Sequence, residues 1–215
     1  MNWICSVAFA VAAAQLTSCA TFSSITGAAT IFPTKATVQK FDFEHDVLNE
    51  PPDGFDTRLG RWAVADSPNA ASGTQVLVRG GENAALLAVK EAEGARSAAG
   101  EVAVRVFLGT SGAGLSCDRP GEPGHLLKVE PDSGRVGLYR KAEDSLQLVD
   151  EAKAKLIKGE WAHLGIRCED DRVVGYLEGK PVVRDRASAN ALDLALYADP
   201  GVTAQFDDFS YWVTK

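Results

Sequence analysis

The stretch EVAVRVFLG, residues 101–109, decides the fold. Val102, Val104, Val106 and Leu108 fall on one side of an extended chain and Ala103, Arg105 and Phe107 on the other. That is the period of two of a β-strand with one buried face, not the 3.6 of a helix. The same alternation returns in GRVGLYR (Val136, Leu138), in WAHLGIRC (Leu164, Ile166, Cys168) and in VVGYLEGKPVV, where Glu178 to Pro181 supply a turn between two apolar runs. Further turns are expected at Pro131 to Gly134 and Glu169 to Asp171. Strands at short spacing with turn residues between them predict an all-β fold of two packed antiparallel sheets. DEAKAKLIKG, residues 150–159, is the one segment with helical composition, and its Ala and Lys content equally suits an edge strand or a loop.

Before the strands lies a different kind of chain. Ile4 to Ala14 is an unbroken run of small and apolar residues. It is too short for a bilayer, which needs about 20, but right for the h-region of a secretion signal. Leu16, Thr17, Ser18 and Cys19 follow, and this stretch resembles the lipobox of bacterial lipoproteins. The resemblance implies cleavage before Cys19, lipid on its thiol and, with Ala20 rather than an acidic residue next, an outer-membrane destination. Plain secretion, with a cut after Ala14 or Ala20, to a periplasmic or extracellular location is the alternative. Of the four cysteines, Cys5 leaves with the signal and Cys117 and Cys168 are free to pair, so Cys19 is the odd thiol that lipid would occupy. The expected organisation is a signal peptide over 1–18, a tether over 19–37 rich in small and hydroxylated residues, and one domain over 38–215. A membrane contact is expected through the lipid anchor only, since no second apolar run approaches the length of a span. With 22 Lys and Arg against 29 Asp and Glu, the net charge of −7 argues against nucleic acid as a partner.

In chain order, FDFEHD, AGLSCDR, GHLLKVEPDSG, VGLYRK, KGEWAHLGIRCEDDRVVGYLEGKPV, ALDLALYAD and AQFDDFSYW resemble the concanavalin A-like lectin and glucanase jelly roll, including its LamG-like members. The likeness runs from about Phe41 to Val213. It implies two curved antiparallel sheets of about a dozen strands, adjacent first and last strands, and a groove on the concave sheet that commonly takes carbohydrate. Similar exported domains carry a cysteine in each of the GLSC and IRC strands, so the resemblance implies a bond between Cys117 and Cys168. Alternation agrees, placing Cys117 with Leu115 and Cys168 with Ile166 on inward faces. Two reduced buried thiols are the alternative.

Glucanases of this fold set carboxylates at alternate positions, E-x-D-x-E, so that acid and nucleophile flank one glycosidic bond. That pattern is absent. The nearest segment, FDFEHD, carries Asp42, Glu44 and Asp46 in another order, and the resemblance puts it on the first strand, away from the groove. A solvated outer face is one reading of it. The other is a structural Ca²⁺ at the meeting of first and last strands, held by Glu44 and Asp208, hard oxygen ligands of the kind calcium takes; no other cofactor is expected. GTSGAG (109–114) misses both the nucleophile elbow and the dinucleotide loop, and His45, His125 and His163 are scattered singly. For a glycan or polysaccharide, the outward residues Arg105, Asp118, Lys128 and Tyr139, with Arg119 at the end of the same strand as Asp118, are the candidate contacts, because sugar sites join an aromatic plate to planar hydrogen-bonding groups. A charged, solvated sheet face is the plain alternative. The expected function is a carbohydrate-binding module without evident catalytic residues. A related glycoside hydrolase, or a structural or protein-interaction module of the cell envelope, is the competing reading.

Overall fold

The structure is a computed structural model and describes residues 31–33, 37–90, 97–108, 112–119, 122–142, 145–169, 171–186 and 193–214. The signal segment, the lipobox and Cys19 lie outside these residues. The strands, in order, are β1 (Gln39–Phe41), β2 (Phe55–Leu59), β3 (Arg61–Asp66), β4 (Gln75–Gly80), β5 (Ala85–Val89), β6 (Ser97–Leu108), β7 (Ala113–Arg119), β8 (Glu122–Glu130), β9 (Arg135–Ala142), β10 (Ser145–Lys153), β11 (Ala162–Glu169), β12 (Arg172–Leu177), β13 (Lys180–Asp185), β14 (Asp193–Ala198) and β15 (Thr203–Thr214). Among the described residues they form two antiparallel sheets. One has the order β13-β12-β11-β6-β15-β4-β3 with β1 also on β15; the other has the order β10-β9-β8-β7-β14-β5-β2. First and last strands pair, Gln39 to Phe41 against Tyr211 to Phe209.

Alternation builds the core as the sequence predicts. Val102, Val104 and Val106 of β6 and Leu164 and Ile166 of β11 point inward from the eight-stranded sheet. They meet Leu115, Leu127, Val136, Leu138, Leu194 and Leu196 of the seven-stranded sheet. Each fully buried aliphatic side chain of this kind contributes about 1.5–3 kcal/mol. A disulfide joins Cys117 on β7 to Cys168 on β11, so it ties one sheet to the other through the core. Gly60 alone carries the chain from β2 in one sheet to β3 in the other; its φ is 75° and a Cβ there would sit 2.6 Å from that of Ala85.

Three segments differ from the sequence-based expectation. Residues 150–153 belong to β10, an edge strand, and 154–159 form irregular and turn structure, so DEAKAKLIKG is not a helix. β1 ends at Phe41, and Phe43, with φ of 61°, turns its ring into the core beside Phe55. Asp42, Glu44 and Asp46 therefore lie on a turn rather than along one strand face. Finally, Ile31, in the expected tether, is buried on the outer side of the eight-stranded sheet with Ala99 and Tyr176, and Phe32 packs beside it. A Cβ on Gly165 would overlap the Ile31 side chain, so the absence of one at that position makes the seat.

Candidate ligand-binding face

On the outer side of the seven-stranded sheet, residues two apart project together. Lys128 and Glu130 of β8, Arg135 and Tyr139 of β9, Tyr197 of β14 and Asp199 just beyond it thereby share one face. Tyr139 lies down along its own strand over Gly137, where a Cβ would come within 2.6 Å of the ring. Lys128 sits above that ring, its Nζ 4.4 Å from the centroid. The Lys128 ammonium is held between two carboxylates, 2.6 Å from Asp199 Oδ2 and 3.4 Å from Glu130 Oε1. Asp199 also accepts from Tyr197 Oη at 3.0 Å and from Gly112 N at 2.9 Å. Glu130 accepts from Tyr139 Oη and Arg135 Nε, and Arg135 reaches Tyr139 Oη and Glu151 at 3.0 Å each.

Lys128, Glu130 and Asp199 are all buried, which only such mutual pairing makes tolerable. Burial pulls the Glu130 carboxyl upward, but the hydrogen bonds from Tyr139 and Arg135 and the charge of Lys128 outweigh it, and the group stays below the usual carboxylate range. Burial, then the bond to Glu130, pushes the Tyr139 phenol up. Beside this network, Leu126, Ala195, Ala88 and Leu86 form a smaller apolar cluster with the two tyrosines. Farther across, Arg58 of β2 pairs with Asp193 of β14.

Lys128 and Tyr139 are thus brought together as the sequence suggested. Asp118 and Arg119 are on β7 of the same sheet, but their side chains lie outside the described residues. Arg105 is a correction: β6 pairs with β11 and β15, so Arg105 belongs to the other sheet and cannot share a site with Tyr139. Its guanidinium is stacked against Phe107 and Trp161, at 4.6 and 4.5 Å from the ring centroids, and bonds Gln205. Sequence reading missed Glu130, Tyr197 and Asp199. The signal was there, since Glu130 follows Lys128, and Asp199 follows Tyr197, at the same two-residue spacing.

Part of the outer side of the eight-stranded sheet is covered by its own chain, while over β11–β13 a cavity of about 1150 Å³ is lined by Arg167, Val174, Tyr176 and Arg184. The loop 67–74 crosses the covered part: Asn69 O accepts from Trp161 Nε1 at 2.9 Å, and Ser72 N donates to Asp207 Oδ2 at 2.9 Å. Glu44 and Asp208 both meet this loop. Glu44 accepts from Thr74 N and Gln75 N at 2.8 Å each and from Thr74 Oγ1 at 3.1 Å, while Asp208 accepts from Ser72 Oγ at 2.6 Å. Both Glu44 oxygens and Asp208 Oδ1 thus accept hydrogen bonds from the chain, and two carboxylates bonded in this way fall short of a calcium cage, which takes six to eight oxygen ligands.

No protein-family model matches the chain, and no curated protein does. Solved structures do. The carbohydrate-binding module CBM66 from Bacillus subtilis superimposes with a TM-score of 0.60 over 78% of this chain and 99% of its own, at 20% identity. This chain has the concanavalin A-like jelly-roll fold. Two more of its structural neighbours are a cellulose-induced protein, Cip1, with TM-score 0.58, 13% identity and coverage of 80% of this chain and 96% of that one, and the Crh5 transglycosylase in complex with NAG, with TM-score 0.57, 11% identity and 83% and 84% covered. At these identities the concanavalin A-like likeness is one of fold, and it spans binding modules and enzymes alike.

Proposed function

We propose that this protein is an exported, lipid-anchored carbohydrate-binding module whose ligand face is the outer side of the seven-stranded sheet. One observation carries the reading. Buried ionic groups and the hydroxyls of two tyrosines, contributed by the sheet's own strands, share a face with a small apolar cluster, the mix of placed polar groups and apolar surface that sugar sites use. On the opposite outer side, the loop 67–74 and Ile31 cover part of the surface. The comparison with CBM66 supports the choice of ligand class, and the lipobox-like LTSC at 16–19 supports the anchor.

Binding is preferred to hydrolysis for a specific reason. A glycosidase acid keeps its proton near neutral pH, and Glu130 is held in the opposite direction while Lys128 fills the space between it and Asp199. The test is retention on a panel of immobilised polysaccharides with the products assayed in parallel. Saturable retention without new reducing ends supports the module; release of reducing ends abolished in Glu130→Gln overturns it in favour of an enzyme.

A further inference from the structure

Among the described residues, two acceptors on this face have no partner. Ser116 Oγ and Asp193 Oδ1 are buried, their residues 0% and 1% exposed, and neither makes a hydrogen bond. Leaving such an atom unpaired costs about 1–3 kcal/mol, which a ligand hydroxyl can recover. Both sit on the outer side of adjacent strands. Ser116 stands opposite Ala195 and Asp193 is two residues along β14, a diagonal pair whose Cβ atoms lie about 7 Å apart, a span that hydroxyls of one sugar ring bridge. Between and beside them, Ala195 and Ala88 are in register and give a floor without bulk.

Among the described residues, the charges nearby are already matched. Lys128 holds Asp199 and Glu130, Arg135 holds Glu130 and Glu151, and Arg58 holds Asp193. A ligand carboxylate or sulfate would have to break one of these pairs and then lie beside the carboxylate it displaced. Resting on the glycan reading of this same face, we infer that its ligand is an uncharged glycan, selected through ring hydroxyls that donate to Asp193 and Ser116, and that acidic polysaccharides are rejected. Arg58, a third exposed on the edge strand β2, keeps its pair with Asp193 Oδ2, so that Asp193 Oδ1 is the oxygen left for a ring hydroxyl.

The test is affinity electrophoresis of the full chain in detergent through gels containing neutral polymers (a glucan, a galactan, a mannan, a fructan) or acidic ones (polygalacturonate, alginate, heparin). Retardation by at least one neutral polymer and by no acidic one is expected. Ser116→Ala should weaken that binding three- to tenfold and Asp193→Asn tenfold or more, with the β-sheet circular dichroism of the parent retained. Ser116→Ala keeps the test alive should Asp193→Asn fold poorly. Retardation by an acidic polymer that is lost in Tyr139→Ala would overturn the inference while sparing the glycan reading, and so would unchanged binding by both variants. Retardation by nothing overturns the glycan reading and the inference together.

Discussion

Reducing the bond between Cys117 and Cys168 should loosen the two sheets without removing a single core side chain. The cysteines are 51 residues apart, and the chain-entropy relation for a loop of that length gives about 14 cal/mol/K, or about 4 kcal/mol at 25 °C. Against a total stability of about 5–15 kcal/mol for a domain, that is a large share. In a domain of this size it corresponds to a fall in Tm of about 8–16 °C. Because β7 and β11 lie in different sheets, nothing in either hydrogen-bond ladder can replace the link. The assay is urea denaturation of the parent with and without a thiol reductant, followed by tryptophan fluorescence. Cys117→Ala/Cys168→Ala, measured with and without the same reductant, serves as the control. The parent should lose about 4 kcal/mol on reduction and the double variant nothing. Superimposable parent curves, or a difference under about 1 kcal/mol, would refute the claim that the bridge restrains the unfolded chain across the core.

Lys128→Met removes the ammonium between Asp199 and Glu130 and leaves two buried carboxylates facing an apolar side chain; a loss of about 3–5 kcal/mol is expected in chemical denaturation, far beyond that of a surface lysine such as Lys155. Asp207, wholly buried, has its carboxyl pushed up to about 6, burial being the leading cause. The folded state thus favours its protonated form, and stability should decline as pH rises from about 4 to 6 and level off above, by on the order of 3 kcal/mol. In Asp207→Asn that decline should shrink; an identical slope in parent and variant would place the titration elsewhere. The hydrogen bond from Gln75 N leads in holding the Glu44 carboxyl below its usual range, and it carries the opposite sign: its contribution is present above the unfolded pKa and is lost as pH falls through the folded one. Glu44→Gln should melt earlier than the parent at neutral pH, and neither chelator nor added calcium should move the parent's Tm; a calcium-dependent rise that disappears in Glu44→Gln would mean these oxygens turn to a cation after all.

How much of this is legible in the chain follows from what period two can and cannot say. It reports which side of a strand a residue occupies, so the inward sets of β6, β9 and β11 were readable from Val102, Leu138 and Ile166. It does not report which sheet the strand joins. Arg105 and Lys128 are equally outward, yet β6 and β8 lie in opposite layers, and the difference is set by long-range pairing that no local pattern encodes. Alternation also fails where both sides are covered. In DLALYA of β14 every residue is buried, because Ala195 and Tyr197 pack into the second apolar cluster while Leu194 and Leu196 fill the core. The pairing of Cys117 with Cys168 was implied by likeness to other domains, and inward placement was consistent with it, but parity alone cannot choose a partner. FDFEHD misled for a backbone reason: one residue, Phe43, takes a left-handed φ, and the carboxylate alternation ends there.

The eight-stranded sheet gives part of its outer side to the chain itself, through the loop 67–74 at Trp161 and Asp207 and through Ile31 in the gap above Gly165. If Cys19 bears the lipid, as we propose, the leash is counted from Cys19 to Ile31 rather than to Val38. Twelve residues reach at most about 40 Å, against about 65 Å for nineteen. The first described residue, Ile31, is thus seated on the eight-stranded sheet, whereas Tyr139 and Lys128 belong to the other layer. The shorter leash follows from one isoleucine finding a seat where a strand carries glycine, since a Cβ on Gly165 would overlap the Ile31 side chain.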